Sequence, residues 1–288
     1  MQNIILYGKN GSYQFFPFDS RNVIGEGGMG RVFRGTDQNG NLVAIKAIYA
    51  ELVKKPSIKD RGEIEAHLRF QHPNLIQMLD YCVSEEGRVH IISKFVDGVS
   101  FPQYIKSING NSIANRNEIF RHTISILEAL HFLHQMGIVH RDVKPDNIMI
   151  TRANEAVLMD LGVARASNGK RLTNAGVVIG TPYYSAPEQI KGENNKISAT
   201  TDIYATGITL YELLTGNPPF EGSSQFDVME MQVKKTIPAH SALPLEIYKI
   251  LKKATQKEQS RRYQTSPEFI EALQNMFERK NWWNRLFS

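Results

Sequence analysis

The chain has 288 residues, 41% of them hydrophobic and 22% charged, a balance that excludes intrinsic disorder and is large enough for a sizeable core or two lobes. Its formal charge of +5 comes from basic residues scattered among acidic ones, which predicts a solvated surface and no nucleic-acid partner. The single cysteine, Cys82, excludes an internal disulfide and reads as a packed thiol in a reducing compartment, and no apolar run reaches the roughly 20 residues that span a bilayer, so a cytoplasmic protein is expected.

In chain order, the first segment, Ile4 to Phe16, sets Asn10-Gly11 between two stretches of β-formers, the signature of a tight hairpin. It is expected to brace the β-rich segments after it, with a regulatory role as the alternative. Next comes Ile24-Gly25-Glu26-Gly27-Gly28-Met29-Gly30-Arg31-Val32. A G-x-G-x-x-G alone also marks dinucleotide-binding folds, but those need a helix directly after the glycines. Here extended residues come instead, turn at Gln38-Asn39-Gly40, and return through Val43-Ala44-Ile45-Lys46. A glycine hairpin without Cβ atoms can lie against phosphates and offer its N–H groups at close range. A helical segment carrying Glu63, Glu65 and His67 precedes His72-Pro73-Asn74, and Val89 to Ile92 reads as a strand leading to Ser93-Lys94-Phe95-Val96-Asp97-Gly98.

Apolar residues at helical spacing from Ile119 to Met136 predict a buried helix ended by Gly137. It runs into His140-Arg141-Asp142-Val143-Lys144-Pro145-Asp146-Asn147, and two short strands succeed it around a turn at Ala153-Asn154, then Asp160-Leu161-Gly162. Asp142 is placed to accept a proton, while Asn147 and Asp160 offer the hard oxygen ligands that Mg²⁺ takes alongside substrate phosphates. Asp146 reads as a turn residue. Further on, Asp202 opens a hydrophobic helix, and Ser266-Pro267-Glu268 predicts a last helix with Ser266 as N-cap.

The run H-R-D-x-K-P-x-N followed by D-x-G, with V-A-I-K and Ala186-Pro187-Glu188 in order around it, resembles the signature set of eukaryotic-like, bacterial-type serine/threonine protein kinases. The resemblance implies an α+β bilobal fold: a small β-rich lobe with one main helix and a larger, mostly helical lobe, with ATP between them. The expected division is a hairpin extension at 1–19, a kinase domain at 20–275 (small lobe 20–92, connection 93–98, large lobe 99–275) and a helical tail at 276–288. It implies ATP and Mg²⁺ as cofactors. Asp142, Lys144, Asn147 and Thr181 are implied as catalytic. Ile24 to Gly30, Val32, Ala44, Lys46 with its partner Glu63, Ser93 as gatekeeper, Lys94, Val96, Asn147 and Asp160 are implied to hold the nucleotide. Asn147 and Asp160 are implied to hold the metal.

Lys144 and Thr181 imply Ser/Thr acceptors on protein substrates. Thr173 is the candidate phosphosite, with Arg141 and Arg165 as receivers and Ser167 and Thr181 as competitors, and self-association would serve trans-autophosphorylation. Two structural pairings are implied as well, Glu188 with Arg262 and Asp202 with the catalytic-loop backbone. The aromatic-basic tail around Trp282-Trp283 is expected to pack on the large lobe rather than touch a membrane. The rival readings are a pseudokinase scaffold, which would normally have lost one of Lys46, Asp142, Asn147 or Asp160, and a small-molecule kinase, which would lack Ala186-Pro187-Glu188.

Overall fold

The computed structural model describes residues 3–28, 30–49, 65, 67–84, 87–108, 113–160 and 182–286, with the backbone alone for 113–115 and 277–286. They form two compact units that meet in sequence at Asp97 and Gly98.

The first unit is an antiparallel sheet of β1 (Ile4–Tyr7), β2 (Ser12–Phe15), β3 (Val23–Gly27), β4 (Gly30–Asp37), β5 (Leu42–Ile48), β6 (Met78–Val83) and β7 (Val89–Lys94), in the order β1-β2-β4-β5-β7-β6 with β3 also on β4. Period-two alternation sends Phe33, Val43, Ile45, Ala47, Cys82 and Ile92 into one core with Leu6, Tyr13 and Phe15. Each large apolar side chain buried there contributes roughly 1.5–3 kcal/mol. The expected hairpin around Asn10-Gly11 is present as β1 and β2, and Tyr13 of β2 stands opposite Asp37 of β4, so the hairpin extends the sheet.

The sheet is curled, because the β1–β2 turn is bonded to β6 at the far end of the strand order. The Asp80 carboxylate, 0% exposed, accepts from the backbone N–H of Asn10 (2.7 Å) and Lys9 (3.3 Å), from the Tyr13 hydroxyl (3.1 Å) and from the N–H of Tyr81 (2.8 Å). The Asn10 side chain donates in turn to the Leu79 carbonyl at 2.8 Å. A Cβ on Gly8 would lie 2.2 Å from Asp80 Oδ2, so the close approach of turn and carboxylate requires glycine there.

The second unit opens with β8 (Gly98–Ser100), which pairs with β9 (Ile148–Thr151), itself paired with β10 (Ala156–Leu158). Its helices are α1 (Phe101–Ser107), α2 (Ile113–Gln135), α3 (Pro187–Ile190), α4 (Ala199–Thr215), α5 (Gln225–Lys234), α6 (Leu245–Ala254) and α7 (Ser266–Leu286). Helix α4 is buried on nearly every face and packs against α2 and α6; it ends at Gly216, whose φ of 90° is the left-handed conformation that glycine adopts at no steric cost. Helix α2 begins six residues ahead of the expected Ile119 and stops at Gln135, with Gly137 at φ 73° closing it as predicted.

The N-cap of the last helix lies one residue earlier than predicted. Thr265, not Ser266, takes the place: its hydroxyl receives the Glu268 N–H and its carbonyl the Phe269 N–H, both at 3.4 Å. Ser266 is instead buried, and its Oγ has no hydrogen-bond partner among the described residues. Helix α7 runs through Trp282 and Trp283 to Leu286 and packs on α2 and α6.

Candidate active site

In the second unit the stretch 140–147 is held from three sides. Asp202 lies in the first turn of α4, where the helix N-terminus favours a carboxylate. It is 0% exposed and accepts from the backbone N–H groups of His140 and Arg141, each at 2.8 Å, and from His134 Nε2 at 2.8 Å. Arg141 has φ 67°, left-handed for a residue with a Cβ, which costs about 1–3 kcal/mol. The bonds to Asp202 offset that cost, as does Gln189 Nε2, which donates to the Arg141 carbonyl at 3.1 Å.

His140 is buried with its Nε2 2.9 Å from the Met159 carbonyl, which can only accept, so that nitrogen carries the proton and Nδ1 is left to accept from the Asp142 N–H at 3.3 Å. The side chain thus links the loop to the end of β10.

Asn147 makes the second link. Its Nδ2 donates to both the carbonyl and the Oδ2 of Asp142, each at 2.9 Å, while its own carbonyl accepts the Met159 N–H at 2.8 Å. Asn147 enters β9 and Asp160 leaves β10, and the register of Ile148 opposite Leu158 brings both to the same end of that strand pair. Asp160 has φ 56°, a second left-handed residue with a Cβ. Lys144 Nζ lies 3.5 Å from Asp142 Oδ2. The structure therefore brings together Asp142, Lys144, Asn147 and Asp160. Asp146 is exposed in the short turn Pro145–Asn147, as a turn residue should be.

The donor set suits Mg²⁺. The Asn147 amide nitrogen is committed to Asp142, so its oxygen is the atom left to face a hard cation, and Asp160 supplies a carboxylate. Among the described residues no group of three or more His, Cys, Asp or Glu forms an all-protein cage, and Mg²⁺ characteristically binds one or two protein oxygens plus phosphates and water.

In the first unit, the strand register sets the remaining residues on one face. Val32 stands opposite Lys46, Arg34 opposite Ala44, Ala44 opposite Ser93 and Lys46 opposite Ile91, so Val32, Ala44, Lys46 and Ser93 share the side away from the core. Gly25 pairs with Val32 and Glu26 with Arg31, whose guanidinium bonds Glu26 at 2.9 Å; Gly27 faces Gly30. Ile24 is exposed on β3. A Cβ on Gly30 would meet the Ala47 carbonyl at 2.2 Å, so this glycine is fixed by close backbone packing. The N–H of Lys94 bonds the Gln77 carbonyl at 2.9 Å, and Val96 comes two residues after β7 and is half-buried.

Glu65 finds partners from outside its own segment. Its carboxylate meets the Tyr81 hydroxyl at 3.4 Å and Lys9 Nζ at 3.7 Å, partners from β6 and from the β1–β2 turn. His67 is buried against Phe70, edge to face at 5.2 Å between ring centroids. Cys82 is buried, and burial followed by the charge of Asp80 pushes its thiol up to about 12, away from nucleophilic use. Met29, Glu63, Leu161, Gly162, Arg165, Ser167, Thr173 and Thr181 lie outside the described residues.

The family model described as "protein kinase domain" matches residues 18–281. The chain belongs to the protein kinase domain family. Its kinase relatives include a probable serine/threonine-protein kinase of Streptomyces coelicolor, 36% identical over 90% of this chain and 39% of that protein. They also include serine/threonine-protein kinase PknB of Mycobacterium tuberculosis, 34% identical over 85% of this chain and 40% of that protein. The chain thus spans about two fifths of the length of these kinases. The PknI kinase domain of Mycobacterium tuberculosis, solved as a single-substitution variant, matches 94% of this chain and 96% of its own with a TM-score of 0.69 at 21% identity, which shows the same fold.

Both implied structural pairings are present in this kinase fold. Arg262 bonds both oxygens of Glu188 at 2.9 Å in a buried pair, and Asp202 holds the loop backbone. Burial alone would push the Glu188 carboxyl up, but the hydrogen bond and charge of Arg262 outweigh it and hold the group below its usual range. Sequence reasoning missed Gln189, which bonds the Arg141 carbonyl, and His134, which bonds Asp202; both contacts are long-range and leave no local pattern.

Proposed function

We propose that the chain is an ATP-dependent serine/threonine protein kinase. The observation that carries this reading is the Asn147 amide, which ties the Asp142 carboxylate to the strand pair bearing Asp160, on a chain of the protein kinase family. Asp142 orients the acceptor hydroxyl and takes its proton as the γ-phosphoryl group is transferred. Lys144, beside that carboxylate, offsets charge on the phosphoryl oxygens, with Thr181 bonding the same loop. Lys46, paired with Glu63, and the N–H groups of 24–30 hold the phosphates, while Val32, Ala44, Ser93, Lys94 and Val96 receive the adenine. Asn147 and Asp160 would hold Mg²⁺, whose chemistry when bound is to neutralise charge on the transferring group.

The protein substrates carry Ser or Thr acceptors, and one of them is a second copy of this chain labelled at Thr173, with Arg141 receiving the new phosphate. The kinase domain is taken as residues 20–275, with 1–19 as an extension and 276–288 as a tail.

The test is incubation with labelled ATP and Mg²⁺, wild type beside Asp142→Asn, with phosphosites mapped by mass spectrometry. Wild type should label itself at Thr173, and the variant should be slower by about 10²–10⁴-fold, the usual share of general-base help. Equal labelling of the two would overturn the assignment of Asp142, and label confined to tyrosine would overturn the Ser/Thr reading.

A further inference from the structure

Behind the turn Pro182–Tyr184 runs a buried polar chain that the proposed chemistry does not use. Gln232 on α5 is 0% exposed, a place where an amide is costly unless both ends are bonded. Both are: its Oε1 accepts from the Tyr204 hydroxyl at 2.5 Å, and its Nε2 donates to the Tyr183 carbonyl. Lys257 Nζ donates to the Tyr204 oxygen at 2.7 Å, with its amine over the rings of Tyr204 and Phe220 at 5.0 and 4.8 Å.

All three bonds point the same way, and the final acceptor is a backbone carbonyl that can only accept, so the amide of Gln232 has one permitted orientation. Arg262 sits over the Tyr204 ring as well, 4.8 Å from its centroid, and connects this chain to the buried Glu188 pair. Burial and then the charge of Arg262 push Lys257 down to about 7, and it can donate in either protonation state. Apolar side chains of equal volume would fill this space without the desolvation penalty. What the polar chain adds is a fixed direction for the Tyr183 carbonyl. The next residue is fixed too, since the Tyr184 hydroxyl donates to Glu212 of α4 at 2.7 Å. The turn is thereby oriented from two helices at once.

We propose that Gln232, backed by Tyr204 and Lys257, is a positioning residue that holds the turn Pro182–Tyr184 in the conformation that docks the protein substrate. This rests on the kinase reading above, in which the turn comes directly after Thr181 and leads into Ala186-Pro187-Glu188.

The test compares wild type, Gln232→Met and Gln232→Glu, using as acceptor the best peptide from an arrayed set of Ser/Thr peptides and measuring KM separately for peptide and for ATP. KM does not depend on the fraction of enzyme that folds. Gln232→Met, which keeps the shape and removes the donor, should raise the peptide KM about tenfold, the effect of one buried carbonyl left unpaired, and move the ATP KM less than about twofold. Gln232→Glu should show the same rise at about pH 8 and recover toward wild type near about pH 6, because a protonated buried carboxyl regains a donor while an ionised one opposes the carbonyl. An unchanged peptide KM, an equal rise in both constants, or a pH-independent defect in Gln232→Glu overturns the inference while leaving the kinase reading intact. A wild type that phosphorylates no peptide in the set overturns both.

Discussion

Asp202 shows how much can depend on one carboxylate. It pairs two backbone N–H groups and a histidine while holding Arg141 in a conformation that its Cβ disfavours. Asp202→Ala should therefore destabilise the protein by about 3 kcal/mol in urea unfolding, from buried donors left unpaired, and should cost phosphotransfer more than it costs ATP binding. A variant as stable as wild type would show that water replaces the carboxylate at no cost. Two buried histidines act on stability through pH. Burial, foremost, pushes His90 and His122 down to about 4, so the unfolded chain binds protons that the folded one refuses. Both folded values are depressed; the stability they contribute is complete above about pH 6.5 and is lost as pH falls toward about 4, with a slope of at most about 1.4 kcal/mol per pH unit for each ring. Urea midpoints measured across that window should fall with pH, and His90→Phe should flatten the fall.

Elements show where the sequence could be read and where it could not. The hairpin at Asn10-Gly11, the strand turn at Asn154 and the end of α2 at Gly137 were legible because each is set by one or two residues whose backbone preferences are local. So was the cluster of Asp142, Asn147 and Asp160, since a short strand pair fixes its own geometry. The binding of the β1–β2 turn to β6 was not legible, although the alternation of Met78, Asp80 and Cys82 on the buried side of one strand carried a hint: a carboxylate there must have donors. Which donors is a long-range fact that periodicity does not hold. The N-cap at Thr265 was misread because a local rule was overruled by packing. Gly98 is the corresponding test at this scale. A Cβ there would sit 2.3 Å from the Ile150 carbonyl, so Gly98→Ala should force β8 off β9 and destabilise by roughly 1–3 kcal/mol, whereas the same change at Gly40, which meets nothing within 4 Å but has φ 83°, should cost only its backbone strain of roughly 1 kcal/mol. Thermal melting of the two variants side by side checks the ordering.

Across the whole molecule, the matched family span begins at residue 18, yet residues 4–15 supply two strands to the first unit and three of the four donors to its buried carboxylate. Deleting residues 1–17 should thus do more than trim an appendage. It leaves Asp80 charged and short of partners, and thermal stability should drop by the equivalent of at least about 3 kcal/mol, with Asp80→Leu in the shortened chain recovering part of the loss. A deletion that melts with wild type would show the strands to be dispensable.

The bond between Asn10 and Asp80 joins positions 70 residues apart in sequence. During synthesis the strands made first must wait for those later residues to leave the ribosome before their turn can be sealed. Until then Leu6, Tyr13 and Phe15 of β1 and β2 lack part of the core they later join, and a pause in translation within that interval is where this protein would be most exposed to misassembly.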